Sequence, residues 1–429
     1  MEATERKAPA PAPAPAPGPG ARRTFSSLRV RNFRLFIFGQ LVSTTGTWMQ
    51  LVAGPWVVYQ LSHSGTMLGL DAALQFVPMM IAGVWGGLIA DRFDNRRLQI
   101  ISQLAYAGLS MVLFLLVVSG AVQLWMVFVM SFLTGCVSAV DFPTRQSFYL
   151  EMVGPDDLTN AMSLNTATFT ATRVVGPAIA GLLIGNTVRS TAPVFLINAI
   201  SYLAVVAALL AMRRSELHAR PLVARAKGQI REGIRYVWRT PDLRLPLAVM
   251  LGVFLFAFNF PVLMPLLATR VFHGGSRVYA IMLATVGVGS LTAALVMASR
   301  ARRPNLRRLA LLAVGLGACS VALALAQGLF VAWLILPLLG ATAIAFAITG
   351  NSTLQITATP SMRGRVMALY SVVFLGSTPI GGPIAGWVGQ NLGVEVALAG
   401  GGVIAVLVGL AALSALRSRD GSPAQVVTA

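Results

Sequence analysis

The sequence predicts an all-α polytopic membrane protein, with twelve transmembrane helices in two six-helix bundles and both termini in the cytoplasm. Three observations carry this reading. Of 429 residues, 56% are hydrophobic and 11% charged, with a mean hydropathy of +0.74, where a soluble domain carries about 25% charged residues. The apolar residues gather into twelve runs near the ~20 residues that span a bilayer, at 33–60, 67–90, 98–119, 122–143, 160–186, 191–212, 244–269, 278–299, 307–327, 329–355, 364–390 and 394–416. The 33 basic residues are also sided. All but four lie in the termini and the loops of one face; Arg189, Arg270 and Arg277 lie on the other, and Arg173 falls inside a run. Basic loops stay in the cytoplasm, which orients the chain. In a soluble protein a net charge of +19 would suggest nucleic acid, but here sidedness accounts for it and no nucleic-acid partner is expected.

Residues 1–24 read as a disordered Pro/Ala-rich cytoplasmic tail, since APAPAPAPAPGPG at 8–20 cannot be helical. They lack the apolar core and cleavage site of a signal peptide. Residues 25–212 form the N-terminal six-helix bundle and 244–416 the C-terminal one, with 417–429 a second cytoplasmic tail. Between the bundles, 213–243 is a basic linker containing an amphipathic helix: Ile230, Ile234, Val237 and Trp238 share one face, suited to the membrane interface. Cys136 and Cys319 lie in apolar runs, so no disulfide is expected. A shift of 205 residues aligns 155–181 with 360–386 at eight identities, ending in Ile179-Ala180-Gly181 on Ile384-Ala385-Gly386. It places helix 5 on helix 11, as a six-plus-six parallel repeat requires.

The stretch GGLIADRFDNRR (86–97) ends an apolar run in an Asp-Arg pair and two more arginines. Asp91 sits in a last helical turn, where the helix dipole disfavours a carboxylate, so it needs a cationic partner. RVVGPAIAG (173–181) and IGGPIAG (380–386) put glycine and proline where helices can pack closely and bend: Gly176, Pro177 and Gly181, then Gly382, Pro383 and Gly386. The first string resembles the signature loop between helices 2 and 3 of the major facilitator superfamily, with Asp94 where the family has glycine. The Gly-Pro motif in helix 5 resembles that of the superfamily's exporters. DFPTRQSF (141–148), EGIRYVWRTP (232–241) and RGRVMALY (363–370) are similar to the branch containing enterobactin and macrolide exporters. The resemblance implies that Asp91 and Arg92, with Arg96 as second basic position, form a cytoplasmic gate against the start of helix 11 near Arg363 and Arg365.

Asp141 and Arg145 lie four apart at the cytoplasmic end of helix 4 and are candidates for gating, Asp141 also for proton coupling. Arg173, near the middle of helix 5, costs about 2.5–3.5 kcal/mol to insert and should face a wet cavity or a carboxylate; it is a third candidate for the proton path. Asp71, in the outer half of helix 2, is the best placed proton carrier. At 1.5 Å rise per residue it lies about 10 Å above Arg173, too far for a direct bridge. Trp48, Gln50, Gln75, Asn165, Asn259 and Gln355 are candidate cavity residues, and a cavity with few charges suits amphipathic or aromatic cargo.

With these residues, the resemblance implies a secondary active transporter exporting hydrophobic or amphipathic small molecules (a drug, siderophore or secondary metabolite) by proton antiport with alternating access, in the cell membrane and as a monomer. Its expected partners are a small-molecule substrate, protons and the bilayer. Uptake or facilitated diffusion of a metabolite is the alternative, and a non-transporting receptor or scaffold a third. No enzyme is indicated, since there is no P-loop or nucleophile elbow. His63, His218 and His273 all lie outside the spans, His63 and His273 on the outer side and His218 on the cytoplasmic one, so no shared metal site and no other cofactor is expected.

Overall fold

A backbone inside hydrocarbon must satisfy its own N–H and C=O groups, which leaves helices or closed barrels. Among the described residues of this chain there is helix and no strand. The computed structural model describes residues 25–218, 229–300, 304–360 and 362–420, with the backbone alone at 82–91, 229–231 and 418–420. The expected tails at 1–24 and 421–429 and the middle of the linker lie outside the described residues.

The helices are α1 (Arg31–Ser62), α2 (Gly65–Arg92), α3 (Asn95–Ser119), α4 (Leu124–Leu183), α5 (Ala192–Leu210), α6 (Gln229–Arg239), α7 (Pro241–Ala257), α8 (Phe260–Leu266), α9 (Ser276–Ser299), α10 (Leu306–Ala324), α11 (Leu329–Thr357), α12 (Arg363–Asn391) and α13 (Val394–Asp420). Nine segments among the described residues are long and apolar enough to cross a membrane. Leu182, Phe330 and Trp238 are 78%, 73% and 69% exposed. Such an apolar exterior would drive association in water and is at home against lipid.

Two boundaries differ from the expectation. The loop anticipated between helices 4 and 5 is helical: α4 runs for 60 residues, broken at Gly154 (φ 71°, ψ 178°). Straight, it would extend about 90 Å, three times the hydrocarbon core. Instead it doubles back, and the Tyr149 hydroxyl donates to Asn165 Oδ1 at 2.6 Å across sixteen residues. Gly154 has left-handed φ, where a side chain is strained, and His218 packs 3.1 Å from where its Cβ would stand. The segment is polar in places, with Gln146, Glu151 and Asp156, yet Phe148, Tyr149 and Met152 among them are fully buried and hold it in helical form. The other difference is in the helix expected at 244–269. It begins at Pro241, breaks at Phe258–Asn259 and resumes as α8, where Pro261 supplies no backbone donor; a π turn follows at Leu267–Val271.

Helices α1–α5 pack chiefly among themselves, as do α7–α13; α2 against α12 and α4 against α9 join the two sets. The first set is tied at its arginine-rich end. Asn32 donates to the Arg213 carbonyl at 2.9 Å and accepts from its N–H at 3.0 Å. Asp94 caps α3 by accepting from Arg97 N–H at 2.9 Å. Its carboxylate, which stands where the superfamily loop has glycine, therefore has a local structural use. Arg96 is 7% exposed and donates from Nε to Leu209 O at 2.7 Å and from Nη2 to Leu210 O at 3.2 Å. These carbonyls end α5 and have no helical partner. Bonds from a charged donor are worth about 1.5–3 kcal/mol each. Arg96→Met is therefore expected to lower the thermal unfolding midpoint of the detergent-purified protein clearly, and Arg96→Lys to recover part of the loss.

Candidate functional site

At the end where α2 begins and α12 finishes, the two sets of helices interlock. A Cβ on Gly69 would overlap the Gly382 carbonyl, and one on Gly386 would overlap the Gly65 carbonyl, so α2 and α12 meet backbone to backbone. Pro383 lies in the same contact, its Cα 2.7 Å from the Cβ position of Gly69. Gln390 Oε1 accepts from Gly65 N–H at 2.9 Å and from Arg270 Nη2 at 2.6 Å, and Arg270 also donates to the His63 carbonyl at 2.9 Å. A second seam joins α4 to α9. There Ser276 donates from its N–H to Asn186 Oδ1 at 3.1 Å and from Oγ to Ile184 O at 3.0 Å. A Cβ on Gly181 would stand 2.9 Å from Ala280 Cβ, and Trp56 stacks on Tyr279 with centroids 6.0 Å apart. Gly176 and Pro177 are buried, and Gly176 fits against Trp48 and Thr45 of α1. Among the described residues, these hydrogen bonds between the two sets all lie at the arginine-poor end.

At the arginine-rich end, among the described residues, the polar contacts of Asn32, Arg96 and Arg365 do not cross between the sets. Arg365, expected to receive Asp91, is taken by Glu232 of α6 at 2.6 Å, and Tyr236 donates to Thr359 Oγ1 at 3.4 Å. The linker helix reaches that arginine because Gly233 lets α6 lie directly on it. The Asp91 side chain lies outside the described residues; Arg92 and Arg363 are exposed.

The first set also encloses a polar core. Asp141, expected at a helix end, lies inside α4, which continues past it, and the residue is 0% exposed. It pairs with Arg145 and accepts from Gln99 Nε2 at 3.0 Å and Gln103 Nε2 at 3.3 Å. Arg145, 31% exposed, also donates to Gln40 Oε1 at 3.4 Å. Further along, Gln50 accepts from Ser110 at 2.8 Å and Asn198 at 2.6 Å, while Tyr106 stacks on Tyr202 at 5.2 Å. Gln50, a candidate cavity residue, is half-buried and its amide oxygen is engaged within the first set. Asn259, expected in the cavity, is instead 3% exposed and its amide donates to Leu255 O at 2.8 Å, bridging the α7–α8 break.

Asp71 and Arg173 have separate surroundings. Asp71, 7% exposed, accepts from Ser131 Oγ at 2.6 Å. The Arg173 guanidinium lies over the Trp48 ring at 5.5 Å, with Phe169 edge-on to that ring at 5.4 Å. The other set holds a knot of rings: Phe254 contacts Phe258, Phe346 and Phe374 at 5.1, 5.6 and 5.0 Å, and Tyr370 stacks on Phe374. Gln75 is half-buried, with its carbonyl against Gly135. Asn165 is held by Tyr149, and Gln355 is exposed and bonded to Asn351.

The profile of one family, described as transmembrane secretion effector, matches residues 22–427. The chain belongs to this family of the major facilitator superfamily. The multidrug efflux pump Tap of Mycolicibacterium fortuitum is 28% identical over 400 residues, 90% of this chain and 96% of Tap. The staphyloferrin A transporter of Staphylococcus aureus is 27% identical over 269 residues, 62% of this chain and 66% of that protein. Among solved structures, a POT family transporter in complex with a thioalcohol-conjugated peptide superposes with a TM-score of 0.71 at 12% identity, covering 91% of this chain and 97% of its own. A bacterial Spinster homologue, inward-facing and unoccupied, does so with a TM-score of 0.66 at 16% identity, covering 95% and 100%. At such identities these structures share the fold.

The protein is thus a multi-pass cell-membrane protein. Its Gln99 and Gln103 around Asp141, Ser131 on Asp71, and the Arg270–Gln390 clasp were missed by sequence reasoning. Gln99 and Gln103 share a helical face one turn apart, and that spacing was a usable signal. Arg270 and Gln390 lie 120 residues apart and carry none.

Two outcomes are expected. Arg145→Met, which strands the buried Asp141 charge, should cost about 3–5 kcal/mol of stability by denaturant unfolding, and the double variant with Asp141→Asn should recover much of it. Gly69→Leu should wedge α2 from α12. In a background lacking Cys136 and Cys319 it is expected to speed maleimide labelling of a cysteine placed by Tyr279→Cys, a position buried in the seam, by about tenfold as the population shifts.

Proposed function

We propose that this protein is a secondary active transporter that exports hydrophobic or amphipathic small molecules by proton antiport. Twelve passes follow if α4 crosses twice and α7–α8 once, and the arginine-rich end, with both termini, then faces the cytoplasm. The observation that carries the reading is that, among the described residues, the hydrogen bonds fastening the two sets of helices to each other lie at the arginine-poor end. A two-part body shut on one side is one of the two states that alternating access requires, here the one open to the cytoplasm. Relatives named as efflux pumps, matched over nearly their full length, support the outward direction.

Asp71 is the proposed proton carrier. It lies in α2, the helix that parts from α12 when the seam opens, and its one described partner, the Ser131 hydroxyl, can hold either protonation state of the carboxyl group. Asp141, fastened by Arg145 and two glutamines, is proposed to keep its charge and to brace the bundle. We assign the Asp91–Arg92 loop to gating with the start of α12, and take the monomer as the working unit.

The test uses inverted vesicles and a fluorescent lipophilic dye. Because the lumen of such vesicles corresponds to the outside of the cell, an acid lumen should drive dye inward in exchange for protons. Asp71→Asn is expected to abolish this dependence, lowering gradient-driven accumulation about tenfold while leaving dye equilibration by counterflow in place. Dye leaving the lumen under the same gradient would assign uptake instead. A full gradient response in Asp71→Asn would remove Asp71 from the proton path.

A further inference from the structure

We propose that Arg173, laid over Trp48 in the middle of the membrane, is the carboxylate-binding point of the cargo site, so that the exported molecules include amphipathic anions carrying a carboxylate on an apolar or aromatic body. The proposal rests on the export reading and specifies its cargo.

The argument starts from an imbalance. The two carboxylates within the spans of the first set are engaged elsewhere, Asp71 with Ser131 and Asp141 with Arg145, Gln99 and Gln103. Arg145 is neutralised by Asp141. Arg173 has an aromatic face beneath it and, among the described residues, no acceptor for its N–H groups. The residue is half-buried rather than sealed. A cation–π contact offsets part of the cost of a desolvated guanidinium but satisfies none of its hydrogen bonds. A planar guanidinium left free in a low-dielectric site is matched by a carboxylate, which takes two parallel hydrogen bonds and the charge together.

The position is where cargo must sit. A Cβ on Gly287 of α9 would stand 2.9 Å from the Arg173 carbonyl, so the residue lies on the contact between the two sets of helices, about which rocking would occur. Apolar surface is beside it. Phe169, one turn earlier, is 51% exposed and touches the Trp48 ring edge. An anionic head on Arg173 and a ring against Trp48 and Phe169 would use all three groups.

The experiment measures binding to the purified full-length protein in detergent, without flux. The probes are benzoate, 2-naphthoate and pyrene-1-carboxylate, each beside its neutral amide of the same shape. In the wild type the acids should bind at least about tenfold tighter than the amides, the worth of one charge-assisted contact, with affinity rising with ring size. Arg173→Gln should bring acid and amide to within about twofold while amide binding stays. Arg173→Lys, which keeps the charge and so the fold requirement, should retain an intermediate preference. Equal binding of acid and amide in the wild type, no acid binding at all, or an undiminished preference in Arg173→Gln would each overturn the proposal. Transport is read separately, by counterflow of the same probes in proteoliposomes. A wild-type acid preference without counterflow would keep the site and remove the transport reading.

Discussion

The contact on which the rest of this structure depends is backbone against backbone, where Gly65 and Gly69 of α2 meet Gly382 and Gly386 of α12. In lipid there is no hydrophobic force to draw two helices together, because the tails are as apolar as leucine. Association has to come from close van der Waals approach and from hydrogen bonds made where a helix ends. Both are present at this seam: no side chain keeps the helices apart, Gln390 takes the free N–H at the start of α2, and Arg270, held by Gln390 within its own set, donates across the gap to the His63 carbonyl. The α4–α9 seam repeats the arrangement with Gly181, Gly287 and Ser276. Contacts of this kind are short and few, so they can be made and broken as units.

The charged groups divide according to whether the protein completes them. Asp141 and Arg145 neutralise each other inside the first set, with glutamines taking the remaining lone pairs, which is the condition for a buried pair to persist in low dielectric. Arg96 ends α5 by covering its last carbonyls. These groups hold one bundle rigid. Asp71, with a single described hydroxyl partner, and Arg173, with an aromatic ring, are left incomplete. In the proposed exporter, cargo and a coupling ion would finish the chemistry of these incomplete charges in turn.

The linker contributes more than length. Helix α6 presses Gly233 and Glu232 against Arg365, so the start of α12 is bound to the segment joining the two sets. Trp238, 69% exposed, has the Arg244 guanidinium 5.9 Å from its ring centroid, an aromatic and a cation set together at the arginine-rich end. Movement of the start of α12 would therefore be felt by α6.

The class of protein was legible in the chain before any question of how its helices cross. Twelve apolar runs, the siding of the arginines, the Gly86–Arg97 loop and the two Gly-Pro motifs are local or periodic signals, and burial in lipid leaves a backbone few alternatives to helix. Asp71, Asp141 and Arg173 stood out in the same way, because an ionisable residue in an apolar run is conspicuous without coordinates. Their partners were not legible. That Gln50 is engaged within the first set, that Glu232 occupies Arg365, that Gly154 turns one 60-residue helix back on itself, and that Arg173 finds Trp48 rather than a carboxylate are outcomes of packing between segments far apart in the chain. A side chain's place in the sequence sets its depth in the membrane, but its direction around the helix, and what it meets there, depends on how the helices cross.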